Sequence, residues 1–270
     1  MHRHRILALL VCAAAVAACD KNARQSITAP AVGARVKFFN FGVGAPGVNF
    51  FAGSTKLTAI SSTSCQPPND TTTVCRTNGI ESTNGVAYSA AGNGALYNEV
   101  APGSVTLAGK IAATTDNGLA VASTSATLDD GKYYSFFVSG VYDATGKKAD
   151  AFVVEDPIPS SDNIDFTQAQ VRLVNASSNV GTMILYAKNT LTGTEVALGS
   201  TVAYKAAGAF TSLPAGVYDL NTRASGSTTN IVTRLAVSFV GGHVYTVTAR
   251  GDATSAVTAS KPALDNTANR

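Results

Sequence analysis

The two halves of the chain repeat the same series of short sequence blocks, and this repeat constrains the fold more than any other feature. Five pairs of blocks match, namely 36–41 with 171–176, 50–52 with 185–187, 86–88 with 202–204, 100–103 with 213–216, and 131–140 with 242–251. Self-similarity on this scale indicates two copies of one structural unit. We therefore expect two similar domains in tandem, each with its own core.

The first copy carries an insertion that the second copy lacks. The offset between matched blocks is 135 residues at the first two pairs and 116 at the third, so the first copy has 19 more residues between residues 52 and 86. Cys65 and Cys75 lie in this insertion and flank a loop of turn-forming residues. In an oxidising compartment such a pair predicts a disulfide, here a local staple on the insertion. A redox pair or two free thiols are the alternatives.

The matched blocks have the composition of β-strands. They are rich in β-branched and aromatic residues, and clusters of Gly, Pro, Asn or Asp separate them. In the segment 217–223, Tyr218 and Leu220 alternate with polar residues, as in a strand with one face in solvent. We predict an all-β protein with two tandem Ig-like antiparallel β-sandwich domains of about seven or eight strands each.

The opening strand of the first copy is apolar on both of its faces. Phe38 and Phe39 place apolar bulk on both faces of that strand. We therefore expect it inside a sheet, with a loop or the neighbouring domain covering its second face.

The predicted segments are 1–18 for an export signal, 19–33 for a flexible tether, 34–156 for the first sandwich, 157–167 for a linker, 168–262 for the second sandwich, and 263–270 for a tail.

The N-terminus has the order of an export signal. Arg3 and Arg5 precede an apolar run at 6–18, and Cys19 follows the small residues at its end. This ending resembles the lipobox of bacterial lipoproteins, which implies removal of residues 1–18 and lipidation of the Cys19 thiol. The apolar run is too short to span a bilayer. We expect lipid anchoring to a bacterial membrane, the outer membrane being favoured over the inner, with a plain secretory signal as the alternative.

Two motifs of the repeat resemble a known family. Ala-x-Val-basic-apolar-apolar-Asn occurs at 34–40 and 169–175, and Gly-x-x-Tyr followed by apolar residues occurs at 131–140 and 242–251. In both copies this pattern is similar to domain-of-unknown-function family 4397. The resemblance implies exported, all-β domains that often occur in tandem.

Motifs for catalysis, nucleotides or metals are weak. The segment 42–47 fits the dinucleotide fingerprint, but a strand-like segment at 48–51 follows where the fingerprint needs a helix. His243 is the single histidine after removal of the signal, and no Gly-x-Ser-x-Gly motif occurs. One histidine with two bridged cysteines cannot supply three ligands to a soft metal. We expect no nucleotide, no cofactor, no metal site and no enzyme activity.

Carboxylates are the remaining candidates for chemistry. Local clusters of acids occur at 129–130, 155–156 and 162–165. The first lies at a predicted turn, where Asp is favoured for conformational reasons, and the others border the linker. None has the spacing of a calcium loop. Calcium binding by these acids stays open, as does a paired-acid site of the glycosidase type.

The charge balance excludes one class of partner. The chain has 20 basic and 17 acidic residues, and removal of the signal takes away two basic ones. Without a Lys/Arg cluster, such a chain is unsuited to nucleic acid. We predict a non-catalytic, lipid-anchored cell-envelope protein that serves as an interaction, adhesion or spacer module, with an envelope protein or glycan as partner. The alternative is a carbohydrate-binding module or weak glycan hydrolase. The ligand and the oligomeric state stay open.

Overall fold

The computed structural model describes residues 33–58, 85–159 and 164–269, together with the backbone of residues 62–66 and 74–78. The predicted signal and Cys19, with the tether as far as residue 32, lie outside the described residues. The same holds for the loop between Cys65 and Cys75 and for the acid at position 162.

The described part of the chain consists of β-strands and two short 3-10 turns, Gly92–Ala95 and Thr258–Ser260. The strands are β1 (Ala34–Asn40), β2 (Val48–Ala52), β3 (Thr55–Lys56), β4 (Ser62–Gln66), β5 (Val74–Asn78), β6 (Ala90–Ala91), β7 (Asn98–Val100), β8 (Gly103–Ile111), β9 (Ala120–Leu128), β10 (Tyr133–Asp143), β11 (Lys148–Glu155), β12 (Gln168–Asn175), β13 (Met183–Asn189), β14 (Glu195–Val202), β15 (Ala206–Ala207), β16 (Thr211–Pro214), β17 (Gly216–Arg223), β18 (Val232–Phe239), β19 (Val244–Arg250) and β20 (Ala263–Ala268).

Each copy of the repeat forms two sheets. In the first copy, β11, β10, β1 and β6 pair in that order with β7 also on β1, and β3, β2, β8 and β9 form the second sheet. In the second copy, β15, β12, β19 and β20 pair with β16 also on β12, and β14, β13, β17 and β18 form the other sheet. We call the sheets that contain β1 and β12 the inner sheets, and their partners the outer sheets. The prediction of an all-β chain with two sandwich domains is confirmed.

The inner sheets differ from the prediction in one respect, because they are not purely antiparallel. Strand β1 runs parallel to β10, with Val36 opposite Tyr134, and β12 runs parallel to β19, with Val171 opposite Tyr245. Parallel neighbours need a long crossover between them. Here the crossover passes through the outer sheet of the same copy.

Each sandwich has its own apolar core between its two sheets. In the first, Phe38 and Phe136 of the inner sheet face Phe50 of the outer sheet, and the rings of Phe38 and Phe50 stack at 5.1 Å. In the second, Leu173 of the inner sheet and Leu185 of the outer sheet belong to the equivalent core. Alternation along each strand produces these one-sided apolar faces.

The predicted tail at 263–270 is wrong, because residues 263–268 form strand β20. This strand pairs with β19, with Leu264 opposite Ala249, and Leu264 is buried in the core of the second sandwich. It occupies the place that β11 has in the first copy. Its sequence, ALDNTA, has one β-branched residue, Thr267, and no aromatic one, so the strand is hard to identify from composition. Pairing with β19 and the burial of Leu264 decide its structure.

The two inner sheets pack against each other, so the molecule has four sheet layers. Phe39, Phe137 and Phe152 on the first inner sheet form one buried cluster with Val174 and Ala176 on the second. The ring of Phe137 stacks on Phe39 at 4.8 Å and on Phe152 at 4.9 Å. The prediction that a loop or the neighbouring domain covers the second face of this strand is confirmed. Phe38 and Phe39 are both buried, and the second sandwich is what covers Phe39.

Truncation of Phe137 tests this packing. We expect Phe137→Ala to lower the free energy of unfolding by about 3–5 kcal/mol, because it removes a buried ring that its neighbours cannot replace. The control is Leu191→Ala, since the Leu191 side chain is 93 % exposed and its loss should change little. Urea unfolding followed by circular dichroism measures both. Equal stabilities of the two variants would contradict the packing described.

Candidate functional site

The contact between the two inner sheets, which we call the joint, contains two buried cationic side chains. Lys37 on β1 and Arg172 on β12 occupy equivalent positions in the two copies, and both are almost completely buried. Side chains alternate between the two faces of a strand. Val36 and Phe38 face the core of the first sandwich, so Lys37 between them faces the other copy. Arg172 has the same place between two core residues of the second sandwich. The joint therefore encloses two cationic side chains and must supply partners for them.

Each cation reaches the last strand of the opposite copy. Arg172 Nη1 donates to the carbonyl oxygen of Glu155 at 2.8 Å, and its Nη2 forms a buried ion pair with the Asp156 carboxylate. Lys37 Nζ donates to the carbonyl oxygen of Ala268 and lies 3.3 Å from Asn269 Oδ1. In both copies, the basic residue of the opening strand thus contacts the end of the other copy's last strand.

The contacts of Arg172 and those of Lys37, which we call the two halves of the joint, are related by an approximate twofold symmetry. The amide of Asp156 donates to the carbonyl oxygen of Tyr133 at 2.7 Å, and that of Asn269 donates to Val244 at 2.7 Å. Tyr133 and Val244 are equivalent residues of the repeat, so Asp156 and Asn269 are equivalent as well. The joint resembles the isologous interface of a homodimer, in which the same surface is used twice.

Asp156 makes the half of the joint around Arg172 strongly ionic. Its Oδ2 accepts hydrogen bonds from the Tyr97 hydroxyl and the Ser135 hydroxyl, each at 2.7 Å. Burial raises the pKa of Tyr97 well above its usual value, and the neighbouring Asp156 raises it further. Tyr97 therefore stays protonated and remains a hydrogen-bond donor to the carboxylate.

Asn269 makes the second half chemically different. Its Nδ2 donates to Thr246 Oγ1 at 2.7 Å, and its Oδ1 faces Lys37 Nζ. Burial lowers the pKa of Lys37 to about 8, although the charge of Asp156 opposes this effect. The Lys37 amine lies 4.4 Å from the ring centre of Tyr97. A neutral amide thus stands where the other half has a carboxylate.

Two tyrosines of the repeat extend the joint at its rim. The Tyr204 hydroxyl contacts Ser139 Oγ at 3.0 Å and donates to the Asp150 carboxylate at 2.8 Å. At the equivalent position of the first copy, the Tyr88 hydroxyl accepts from Arg250 Nη1 at 3.1 Å. All of these contacts cross between the copies.

The predicted acid clusters separate into different structural roles. Asp130 accepts a hydrogen bond from the Gly33 amide at 2.6 Å, and Glu155 forms an exposed pair with Lys132 at 3.0 Å. Asp165 accepts from Thr167. Across the described residues, no group of three or more His, Cys, Asp or Glu side chains is arranged to hold a metal ion.

The other sequence candidates lie on separate elements of the fold. The glycine-rich segment 42–47 leads into β2 and not into a helix. His243 precedes β19, with its ring 6.0 Å from that of Tyr245. Cys65 on β4 lies directly opposite Cys75 on β5 in an antiparallel hairpin.

The insertion interrupts an edge strand of the first outer sheet. In the second copy β14 is continuous and places Val202 opposite Met183. In the first copy the equivalent strand is split, because β3 ends at Lys56 and pairing with β2 resumes at Val86, which bridges Val48. The insertion therefore leaves and re-enters the sheet at its edge.

A small pocket lies at the same end of the first outer sheet, near the start of the insertion. Its volume is about 230 Å³. Leu57, Val100 and Val105 supply apolar lining, while Glu99 and Ser104 contribute polar groups. It is smaller than the about 300–1,000 Å³ of most sites for small molecules.

Comparison with known families adds one finding. Residues 169–269 match the family model of Domain of unknown function (DUF4397). The DUF4397 match covers the second sandwich from β12 to the residue after β20, so it includes the last strand and Asn269. A search of curated proteins finds no match. No helix within the described residues has the length and apolar character needed to cross a membrane.

The joint was not identifiable as a site from sequence alone, although a signal was present. Both opening strands carry a basic residue, Lys37 or Arg172, between residues that are buried on either side. A cation in such a strand predicts a buried partner. Asp156 belongs to the acid cluster at 155–156, but nothing in the sequence pairs it with Arg172. Asn269 lies in the predicted tail, where no pattern marks it.

The two adjacent acids at the end of β11 test the ionic half of the joint. We expect Asp156→Asn to lower the free energy of unfolding by about 3 kcal/mol, because it leaves the buried Arg172 without a counter-charge. Glu155→Gln is the matched control, since its side chain only pairs with exposed Lys132 and should contribute little. Urea unfolding at neutral pH compares them. A similar loss in both variants would contradict the role of Asp156.

Proposed function

We propose that this chain is a non-catalytic, lipid-anchored cell-envelope protein in which two tandem DUF4397 domains form one rigid interaction module. The observation that carries the proposal is the joint. Its apolar cluster and its buried ion pair hold the two sandwiches face to face, which suits a spacer or display platform and not a cleft that opens and closes. The anchor is Cys19, and the outer membrane is our preferred location.

The strand correspondence supports two copies of the family domain. Residues 169–269 match the family model, and every strand of that region has an equivalent in the first copy. The motif residues Lys37 and Arg172 also make equivalent contacts across the joint. We assign the first sandwich to the same family on these grounds.

The contacts of the charged residues support a non-catalytic role. Buried Asp156 is bound by Arg172, Tyr97 and Ser135. On the second outer sheet, Arg223 binds both oxygens of Glu195 at 2.7 Å. These charged side chains therefore bind one another.

The insertion is the segment that we propose as the contact surface. It occurs in one copy only and leaves from a sheet edge, and loops on a rigid scaffold are where recognition concentrates. Directly opposed residues of antiparallel strands have Cα atoms about 4.5–5.5 Å apart, within the range of disulfides. We therefore propose that Cys65 and Cys75 form a disulfide that fixes the insertion for binding to an envelope protein or glycan.

A carbohydrate-binding module is less well supported. Sugar-binding sheets use open aromatic faces. Outside the buried cores, each outer sheet has one aromatic ring, and the two rings, Phe51 and Tyr186, are at equivalent positions of the repeat. The Lys110 amine lies 4.3 Å from the Phe51 ring centre, and the Arg223 guanidinium lies 4.5 Å from that of Tyr186. A cation therefore lies over each of these two rings and competes with a sugar for stacking on it.

Substitution of the lipobox cysteine tests the anchor. We expect Cys19→Ser to move the protein from the membrane fraction to the soluble fraction, because two or three acyl chains are what hold it. Cys12→Ser is the control, since that cysteine lies in the segment that processing removes. Fractionation with intact-mass analysis measures both. Membrane retention of the Cys19→Ser protein would contradict lipid anchoring.

Removal of the insertion tests the contact surface. We expect replacement of residues 61–83 by two glycines to abolish photo-crosslinking of the protein to envelope components on whole cells, with little loss of stability. The control is Leu191→Ala, which changes an exposed apolar side chain of the second copy. Unchanged crosslinking after the deletion would contradict the proposed surface. Turnover of an envelope glycan, abolished by an acid-to-amide change, would contradict the non-catalytic role.

A further inference from the structure

The joint brings an amine and a side-chain amide together from the two ends of the described chain. Lys37 Nζ lies 3.3 Å from Asn269 Oδ1, and the two residues are 232 positions apart in sequence. Lys37 is 2 % exposed and Asn269 is 9 % exposed. An amine and an amide held at this distance, away from bulk water, have the groups needed for acyl transfer.

We propose that Lys37 and Asn269 become joined by an intramolecular isopeptide bond. The lone pair of Lys37 Nζ attacks Asn269 Cγ and forms a C–N bond, and negative charge passes to Oδ1. Collapse of this intermediate breaks the Cγ–Nδ2 bond. The departing nitrogen takes the proton that Nζ loses, so ammonia leaves and the link is a neutral secondary amide. The step needs no oxidant, metal or cofactor.

The surroundings of the two groups favour each part of this step. Burial lowers the pKa of Lys37 to about 8, so a useful fraction of the amine is neutral near physiological pH. The Thr246 hydroxyl lies 2.7 Å from the leaving nitrogen Nδ2, where it can relay the proton. Arg172 Nε donates to Thr246 Oγ1 at 3.1 Å, which makes that hydroxyl a better proton donor.

The other half of the joint is a built-in comparison. There the equivalent residues are Arg172 and Asp156, which form an ion pair. A guanidinium stays protonated and is not a nucleophile, and an ionised carboxylate has no leaving group. Only the Lys37–Asn269 half can therefore become covalent.

The link would close the tandem domains into one covalent unit. It would tie strand β1 of the first copy to the residue after β20 in the second. Because the two sites are 232 residues apart, nearly all of the described chain would lie inside the closed loop. This inference does not depend on the proposed function, since it concerns the joint alone.

A peptide map of the full-length protein tests the bond. After reduction, denaturation and digestion, we expect one branched peptide that contains Lys37 and Asn269, with a mass lower than the sum of its parts by one ammonia. Lys37→Arg and Asn269→Ala should each give the unbranched peptides. Recovery of only unlinked peptides from the folded wild-type protein would overturn the proposal, even if both variants failed to fold.

The rate of linkage separates chemistry from simple proximity. Protein refolded from urea-solubilised aggregates should begin unlinked, and the linked fraction should then grow faster as pH rises toward about 8 and level off above it, because the neutral amine is the reactive form. Thr246→Ser should link at nearly the wild-type rate and Thr246→Val should link more slowly. Equal rates for both variants would exclude the relay, and a rate that falls with pH would overturn the mechanism.

Discussion

Two buried cations, Lys37 and Arg172, determine how the two halves of this molecule are arranged. Each points away from its own core and donates hydrogen bonds to the end of the last strand in the opposite copy. A buried charge without a partner is strongly unfavourable, so each copy needs the strand end that the other provides. The four-layer arrangement follows from this mutual requirement, together with the phenylalanine cluster that excludes water around it.

The repeat and its two departures explain how one architecture provides distinct sites. The two halves of the joint have equivalent contacts, but Asp156 makes one half ionic. In the other half, Asn269 places an amide beside the amine of Lys37. The insertion breaks the edge of only one outer sheet. The repeat thus gives a nearly symmetric scaffold, and the residues that differ between the copies give each copy its own contacts.

Sequence reasoning predicted the fold class and the repeat because strand composition and alternation are local properties. It also predicted the covered second face of Phe39, since adjacent apolar residues on a strand require two packed faces. It missed β20, whose residues have weak strand propensity and are ordered by pairing with β19. It also missed the joint, because the partners of Lys37 and Arg172 are more than a hundred residues away or lie beyond a domain boundary, where only tertiary packing brings them together.

Differential scanning calorimetry of the full-length protein tests the central claim, that the joint makes the two sandwiches one cooperative unit. The account predicts a single transition in which the calorimetric and van't Hoff enthalpies of unfolding agree. The Asn269→Ala protein should also show one transition, because the phenylalanine cluster and the Arg172–Asp156 pair remain. Two separate transitions in the wild-type protein, one for each sandwich, would contradict the account.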